Sequence, residues 1–410
     1  GMATTGAANA FGWRLSTAIA GILIVGLVMV IAWLLFRSTL LSVMAGGLMA
    51  IDGHAIVLSR VSLLDNFVTL FTLTGVALIL VDRLGAQRRL ERWLRRHPDS
   101  AWGPAMWGRP YLILAGVAFG AAVAVKWSGL YFLVAFALYV VVMDALDRKK
   151  AGVPFWLSAA LLKQAPVTFI LMVPIAVVTY VASWSGWIMT SGGYYRNLVA
   201  SDPSLRFEGL LAWVPDWAQS LWAYHLSAYQ FHVGLTTAHS YQANPLTWLL
   251  MLRPTSMYYE SAANGEAGCT FDSCSTAITS LANPAIWWAG SIAVFYVLYR
   301  LIRYRTWREG FILMGMLAGY VPWLMYLNRT VFQFYGIIYE PYMILAITFA
   351  ISVILGKRTD SEHRRTAGIA WVSAYGVLAI LLSIFFYPLW SGIQIPYWYW
   401  HIHMWLPGWI

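Results

Sequence analysis

The chain has 410 residues, 60% of them hydrophobic and only 11% charged, with a formal net charge of +10 and two cysteines. So little charge excludes an ordinary soluble domain, whose surface needs more. It fits a protein that crosses a bilayer many times.

Hydropathy predicts ten apolar helices, over residues 12–36, 39–58, 63–82, 110–125, 128–146, 156–184, 284–302, 310–327, 332–355 and 367–388. The expected fold is all-α: one polytopic domain over 1–410, with a long loop over 185–283. Twenty of the 27 Lys and Arg residues fall in five tufts, at Arg37, Arg83 to Arg109, Arg148 to Lys163, Arg300 to Arg308 and Lys357 to Arg365. Each tuft follows an odd number of spans. Cytoplasmic loops collect Lys and Arg, so the tufts mark the cytoplasmic side and the +10 charge signals orientation, not nucleic-acid binding. The long loop and both termini then lie outside. Residues 1–9 show no signal-peptide pattern, so a further span upstream, entering from the cytoplasm, is expected.

The segment Gln87–Arg96 reads equally as a short interfacial helix or as a solvated basic loop. In the long loop, Leu205–Leu235 has aromatic and aliphatic residues at helical spacing, which predicts helices lying on the outer membrane face. Cys269 and Cys274 also lie there, on the oxidising side, where they form a small disulfide loop or remain two free thiols.

Seven cations remain for the outer side: Arg14, Arg60, Lys126, Arg196, Arg206, Arg253 and Arg329. Single cations at span ends usually anchor, but several beside aromatic residues suit an anionic lipid headgroup. Arg60 ends the second span and Asp65 opens the third. Ser62 and Asp65 fit a capping box, and Asp52 and His54 lie in the outer half of the second span, where a local Asp52–Arg60 pair is one reading. Lys126 and Trp127 form an outer turn. His225, Tyr229 and His232 share a helix face, but His225 and His232 lie about 10 Å apart along it, too far to share a zinc ion, so no metal site is expected. His239, Tyr241, Trp248, Arg253 and Glu260 make a polar set within an aromatic run. Glu340 precedes Pro341, which is expected to kink the ninth span. The chain has no P-loop, GxSxG, HExxH or dinucleotide fingerprint.

The pieces FGWRLSTAIAG (11–21), LSRVSLLDNF (58–67), AVKWSGLYF (124–132), WSGWIMTSGGYYR (184–196), HSYQANPLTWLLMLRP (239–254), ANPAIWWAG (282–290), RTVFQFYGI (329–337) and HMWLPGWI (403–410) occur in this order. With them the chain resembles the protein O-mannosyltransferase family in its actinobacterial form. Ser240 and Leu249 stand where the family often has proline. The resemblance implies a glycosyltransferase type C-like fold in the bacterial plasma membrane, with the site on the extracytoplasmic side. It implies mannose transfer from polyprenyl-phosphate-mannose to Ser/Thr of exported proteins, near the export machinery, without a cofactor. It places Arg60 and the His239–Arg253 loop at the site. The charges themselves lead us to expect Arg60 and Arg253, and after them Lys126 and His239, at the donor phosphate, with Asp65, Tyr241, Trp127 and His225 lining the site. The family's catalytic Asp-Glu pair is expected ahead of the FGWR segment, so no catalytic carboxylate is assigned within the chain. A lipid or cell-wall glycan acceptor, or a non-catalytic lipid-binding or transport role, are the alternatives.

Overall fold

Asn9 caps the first helix by accepting the Phe11 N–H, and α1 runs from Ala10 to Phe36. The structure, a computed structural model, describes residues 9–410. The expectation drawn from the chain's first residues, a span further upstream, lies outside the described part. Arg37 turns the chain with a left-handed backbone (φ 53°), and Ser38 caps α2, Thr39–Ile51. The second expected span is not one helix. It breaks at Asp52, and α3 (Gly53–Leu58) starts again with the Asp52 carboxylate accepting the His54 N–H at 2.8 Å. Gly53 is required there, because a Cβ would fall inside the Trp390 indole.

The third span continues well past residue 82. α4 is one helix from Asp65 to Arg96, 32 residues long, so the arginine-rich segment 87–96 is neither a separate interfacial helix nor a loop. Its helix formers simply extend the span. The capping box is absent as well. Leu64 precedes the helix without a side-chain cap, and Ser62 Oγ donates instead to the Trp13 carbonyl.

α5 (Pro110–Val125) packs along α7 (Trp156–Ser183). Gly116 and Gly120 face it: a Cβ at Gly116 would lie 2.7 Å from the Met172 carbonyl oxygen, and one at Gly120 would lie 2.5 Å from that of Ala176. This is the small-xxx-small contact that lets membrane helices approach closely. Backbone cannot give way, so Gly120→Val is expected to cost at least the roughly 1–3 kcal/mol of ordinary overpacking. The measurement is the melting temperature in detergent; an unchanged value would refute this packing.

Between them in sequence runs α6, Gly129–Lys150. Where the middle of α4, the last turns of α6 and the residue capping α5 meet, buried charges pair. Arg109 donates to Asp82 through Nε (2.9 Å) and Nη2 (2.5 Å) and to Asp144 through Nη1. Arg83 pairs with Asp147 at 3.0 Å. Charges at this depth are tolerated only when paired in this way.

In the long loop the helix expected from Leu205 begins only after Pro215, as α8, Asp216–Gly234. The stretch before it forms short 3₁₀ turns. Beyond α8 the expectation of helices alone misses a β-hairpin, β1 (Thr255–Ala263) and β2 (Ser273–Ser280), extended by β3 (Gln394–Pro396) into an antiparallel sheet of order β1–β2–β3. β1 is exposed over most of its length, so it carries no alternating apolar signal. A disulfide joins Cys269 to Cys274.

Asn283 caps α9 (Pro284–Tyr304), with proline at its first position. The eighth and ninth spans also differ from expectation. α10 (Trp307–Gly319) gives way to a 3₁₀ turn over Val321–Met325, and a second turn over Gln333–Ile338 leads into α11, Glu340–Leu355. Pro341 sits in the first turn of α11, where its missing N–H costs nothing, so it starts the helix and does not kink it. Irregular backbone at this depth is allowed because protein surrounds it. α11 is the central post of the fold, with every residue from Glu340 to Phe349 buried. α12 (Glu362–Ser391) closes the bundle. Among the described residues six helices, Ala10–Phe36, Asp65–Arg96, Gly129–Lys150, Trp156–Ser183, Pro284–Tyr304 and Glu362–Ser391, are long and apolar enough to cross a membrane; Thr39–Ile51, Pro110–Val125 and Glu340–Leu355 are shorter apolar helices.

Candidate active site

The turn between α3 and α4 carries Arg60 and Asp65. Arg60 is half-buried and donates through Nη1 to the Trp390 carbonyl at 2.6 Å. It does not pair with Asp52, whose two oxygens accept the backbone N–H groups of His54 and Asn283. Arg60 lines a cavity of about 340 Å³ between α1, α2 and α3. Ser59, Arg60 and Asn66 form its polar end; the remaining wall, including Ile22, Val25, Met49 and Ile56, is apolar. Such a cavity suits an amphiphile with an anionic head.

Asp65 and Lys126 meet. Lys126 Nζ lies 2.8 Å from Asp65 Oδ1, 3.7 Å from the centre of the Tyr335 ring and 5.8 Å from that of Trp323. An ammonium over aromatic faces beside one carboxylate is held in place by cation–π attraction as well as charge. Tyr335 and Trp323 come from the turns around α10 and α11. Their part in the site was not legible, although Tyr335 falls within the RTVFQFYGI piece. Ile337 of the same turn lines the Arg60 cavity.

Trp127, next to Lys126, belongs to a relay. Its Nε1–H donates to Tyr180 Oη at 3.2 Å, and Tyr180 Oη lies 2.6 Å from His225 Nε2. His225 Nδ1 faces the Leu221 carbonyl at 2.7 Å. A carbonyl only accepts, so the proton is on Nδ1, Nε2 is the acceptor and Tyr180 donates to it. Trp127 also stacks on His225 at 5.7 Å.

The 239–253 segment closes on itself. His239 Nδ1 accepts the Tyr241 N–H at 3.1 Å, and its ring meets Phe332 edge-on at 5.0 Å. Arg253 lies over the Tyr241 ring at 5.1 Å. Its guanidinium donates to the carbonyls of Ser240, Gly408 and Ile410. A phosphate would have to displace those carbonyls, so Arg253 holds the loop that presents His239. Arg329, which sequence reasoning grouped only with the outer cations, donates through Nη2 to His232 Nδ1 at 3.4 Å. Partial burial, together with the positive charges of Arg329 and Lys126, holds His232 below the usual histidine range.

Residues 1–190 match the family model for dolichyl-phosphate-mannose-protein mannosyltransferase, and residues 217–409 match that for the C-terminal four-span region of protein-O-mannosyltransferase. The polyprenol-phosphate-mannose–protein mannosyltransferase of Mycolicibacterium smegmatis (strain MKD8) is 35% identical over 98% of this chain and 78% of its own length. That of Mycobacterium tuberculosis (strain CDC 1551 / Oshkosh) is 32% identical over 98% and 77%. Among solved structures, the S. cerevisiae Pmt1–Pmt2 complex bound to the sugar donor matches with a TM-score of 0.63 at 14% identity, over 97% of this chain and 80% of that one.

Proposed function

From the protein O-mannosyltransferase family, to which this chain belongs, we propose the reaction it performs: transfer of mannose from polyprenyl-phosphate-mannose to Ser and Thr hydroxyls of exported proteins. The reaction takes place at the outer face of the bacterial plasma membrane, where polypeptides leave the export machinery. Arg60 is the observation that carries this reading. It stands at the polar end of an otherwise apolar cavity and has no carboxylate partner among the described residues.

The acceptor hydroxyl oxygen attacks the anomeric carbon. The bond from that carbon to the phosphate oxygen breaks, its electron pair stays on the phosphate, and a carboxylate of the Asp-Glu pair that the family resemblance implies takes the hydroxyl proton. One displacement inverts the anomeric centre. The leaving group is already a weak base, so it needs charge stabilisation and no proton. Arg60 supplies parallel N–H donors suited to phosphate oxygens, while Lys126, fixed by Asp65 and Tyr335, adds positive potential on the other side of the 333–338 turn. Arg253 and Tyr241 order the loop that carries His239, and the Trp127–Tyr180–His225 relay braces the turn holding Lys126. No cofactor enters the scheme.

The test supplies radiolabelled polyprenyl-phosphate-mannose and a Ser/Thr-rich peptide to membranes carrying the protein. Labelled peptide is the expected product. Label confined to lipid or to envelope glycan would replace the acceptor assigned here.

A further inference from the structure

The break in the second span brings three ionisable side chains into the middle of the fold. Asp52, His54 and Glu340 are all buried, at 0%, 0% and 1% exposure, and the transfer chemistry uses none of them. Asp52 is engaged by backbone. Its carboxylate caps α3 and accepts the Asn283 N–H at 3.1 Å. Asn283 in turn donates to Ala379 O and Ser383 Oγ of α12, so this carboxylate joins α3, α9 and α12.

His54 and Glu340 make a different connection. His54 Nε2 lies 3.1 Å from the Phe334 carbonyl, and Nδ1 lies 2.7 Å from Glu340 Oε2. The carbonyl can only accept, so Nε2 carries a proton and Nδ1 is the atom that Glu340 engages. Trp287 meets the imidazole edge-on at 5.4 Å. These contacts grip both ends of one segment: Phe334 lies inside the turn Gln333–Ile338, and Glu340 begins the helix that follows it. Two residues of that turn touch the site. Tyr335 supplies the ring over Lys126, and Ile337 lines the Arg60 cavity. His54 itself sits on α3, the helix that leads into Arg60.

A buried polar pair is a poor source of stability compared with apolar residues of similar volume. What it adds is direction, because its bonds are satisfied in one arrangement only. We propose that His54 and Glu340 are positioning residues whose mutual bond sets the 333–338 turn, and through it the placement of Lys126 against Arg60. The proposal deepens the mannosyltransfer reading and rests on it.

The test uses the full chain in lipid nanodiscs and two independent measurements. One is the rate at which an amine-reactive reagent labels Lys126, read by mass spectrometry, which needs no activity. The other is kcat and KM for polyprenyl-phosphate-mannose. Glu340→Ala is expected to speed Lys126 labelling severalfold and to lower kcat/KM by up to about 10²-fold, the scale of an ångström-sized misplacement. Glu340→Gln is expected to stay within about twofold of wild type, since its amide can donate to Nδ1 and keep the bond. Where Glu340→Ala yields no folded protein, His54→Asn, too short to reach both partners, carries the same expectation. Unchanged Lys126 labelling in the bond-breaking variants overturns the proposal, as does equal damage from Glu340→Gln and Glu340→Ala. Where the wild-type chain transfers no mannose, as expected without the family's Asp-Glu pair, the labelling alone decides the role of His54 and Glu340.

Discussion

Arg60→Ala is expected to lower kcat for mannosyl transfer by about 10²–10³-fold, the usual loss when one preorganised donor to a developing negative charge is removed. The charge appears on the phosphate as the glycosidic bond breaks, so the deficit falls mainly on kcat. Arg60→Lys keeps a positive charge but loses the planar fork, and should lie between the alanine variant and wild type. The fold should tolerate both changes, because Arg60 contributes one hydrogen bond, to the Trp390 carbonyl, and is only half-buried. Arg253→Ala provides the contrast. Its guanidinium ties Ser240 to Gly408 and Ile410, so its loss should loosen the loop and lower the melting temperature. A normal turnover in well-folded Arg60→Ala would remove the phosphate from this cavity.

Arg109→Ala should produce the largest loss of stability. Arg109 is 2% exposed and is the shared partner of Asp82 and Asp144, at 1% and 3%. Truncating it strands the buried Asp144 carboxylate and leaves Asp82 only Arg89, whose Nη2 lies 3.2 Å from Oδ1; breaking one such pair costs about 3–5 kcal/mol, a large part of the roughly 5–15 kcal/mol that holds a typical domain together. The variant should accumulate poorly and melt far below wild type. Adding Asp82→Asn and Asp144→Asn should restore much of the loss, because the stranded charges are then gone. Wild-type melting of the single variant would mean that the cluster is hydrated and not buried.

The helical bundle is legible in the hydropathy, because bilayer thickness is a strong, simple constraint on the length of apolar runs. Helices over 110–125 and near 128–146 emerge almost as read. The breaks at Asp52 and between Gly319 and Glu340 do not. Hydropathy averages over a window and cannot see a helix that stops and restarts while still buried. Only Asp52 and His54, ionisable residues within an apolar run, hint at one of them. The hairpin stays hidden because β1 is mostly exposed and β2 buries small or polar residues (Ser275, Ala277, Thr279), so neither strand alternates apolar with polar residues. At the site, Arg60, Asp65 and Lys126 stand out as charges in unexpected places, and the structure brings Asp65 and Lys126 into contact. Tyr335 and Trp323 do not stand out, since one aromatic among 23 Trp and 23 Tyr carries no signal until folding sets it over a cation. Arg253 is a different case: its Nε, Nη1 and Nη2 donate to backbone carbonyls of Ser240, Gly408 and Ile410, which no sequence pattern reveals.

The unbroken course of α4 has a geometric consequence. At 1.5 Å per residue its 32 residues make a rod about 48 Å long, against a hydrocarbon slab of about 30 Å. To hide within that slab it would have to lean by about 50°, steeper than the roughly 40° that spanning helices reach. Its last turns therefore stand clear of the lipid tails as a stiff spur studded with Arg88, Arg92, Arg95 and Arg96, a fixed cationic outcrop and not a floppy strand.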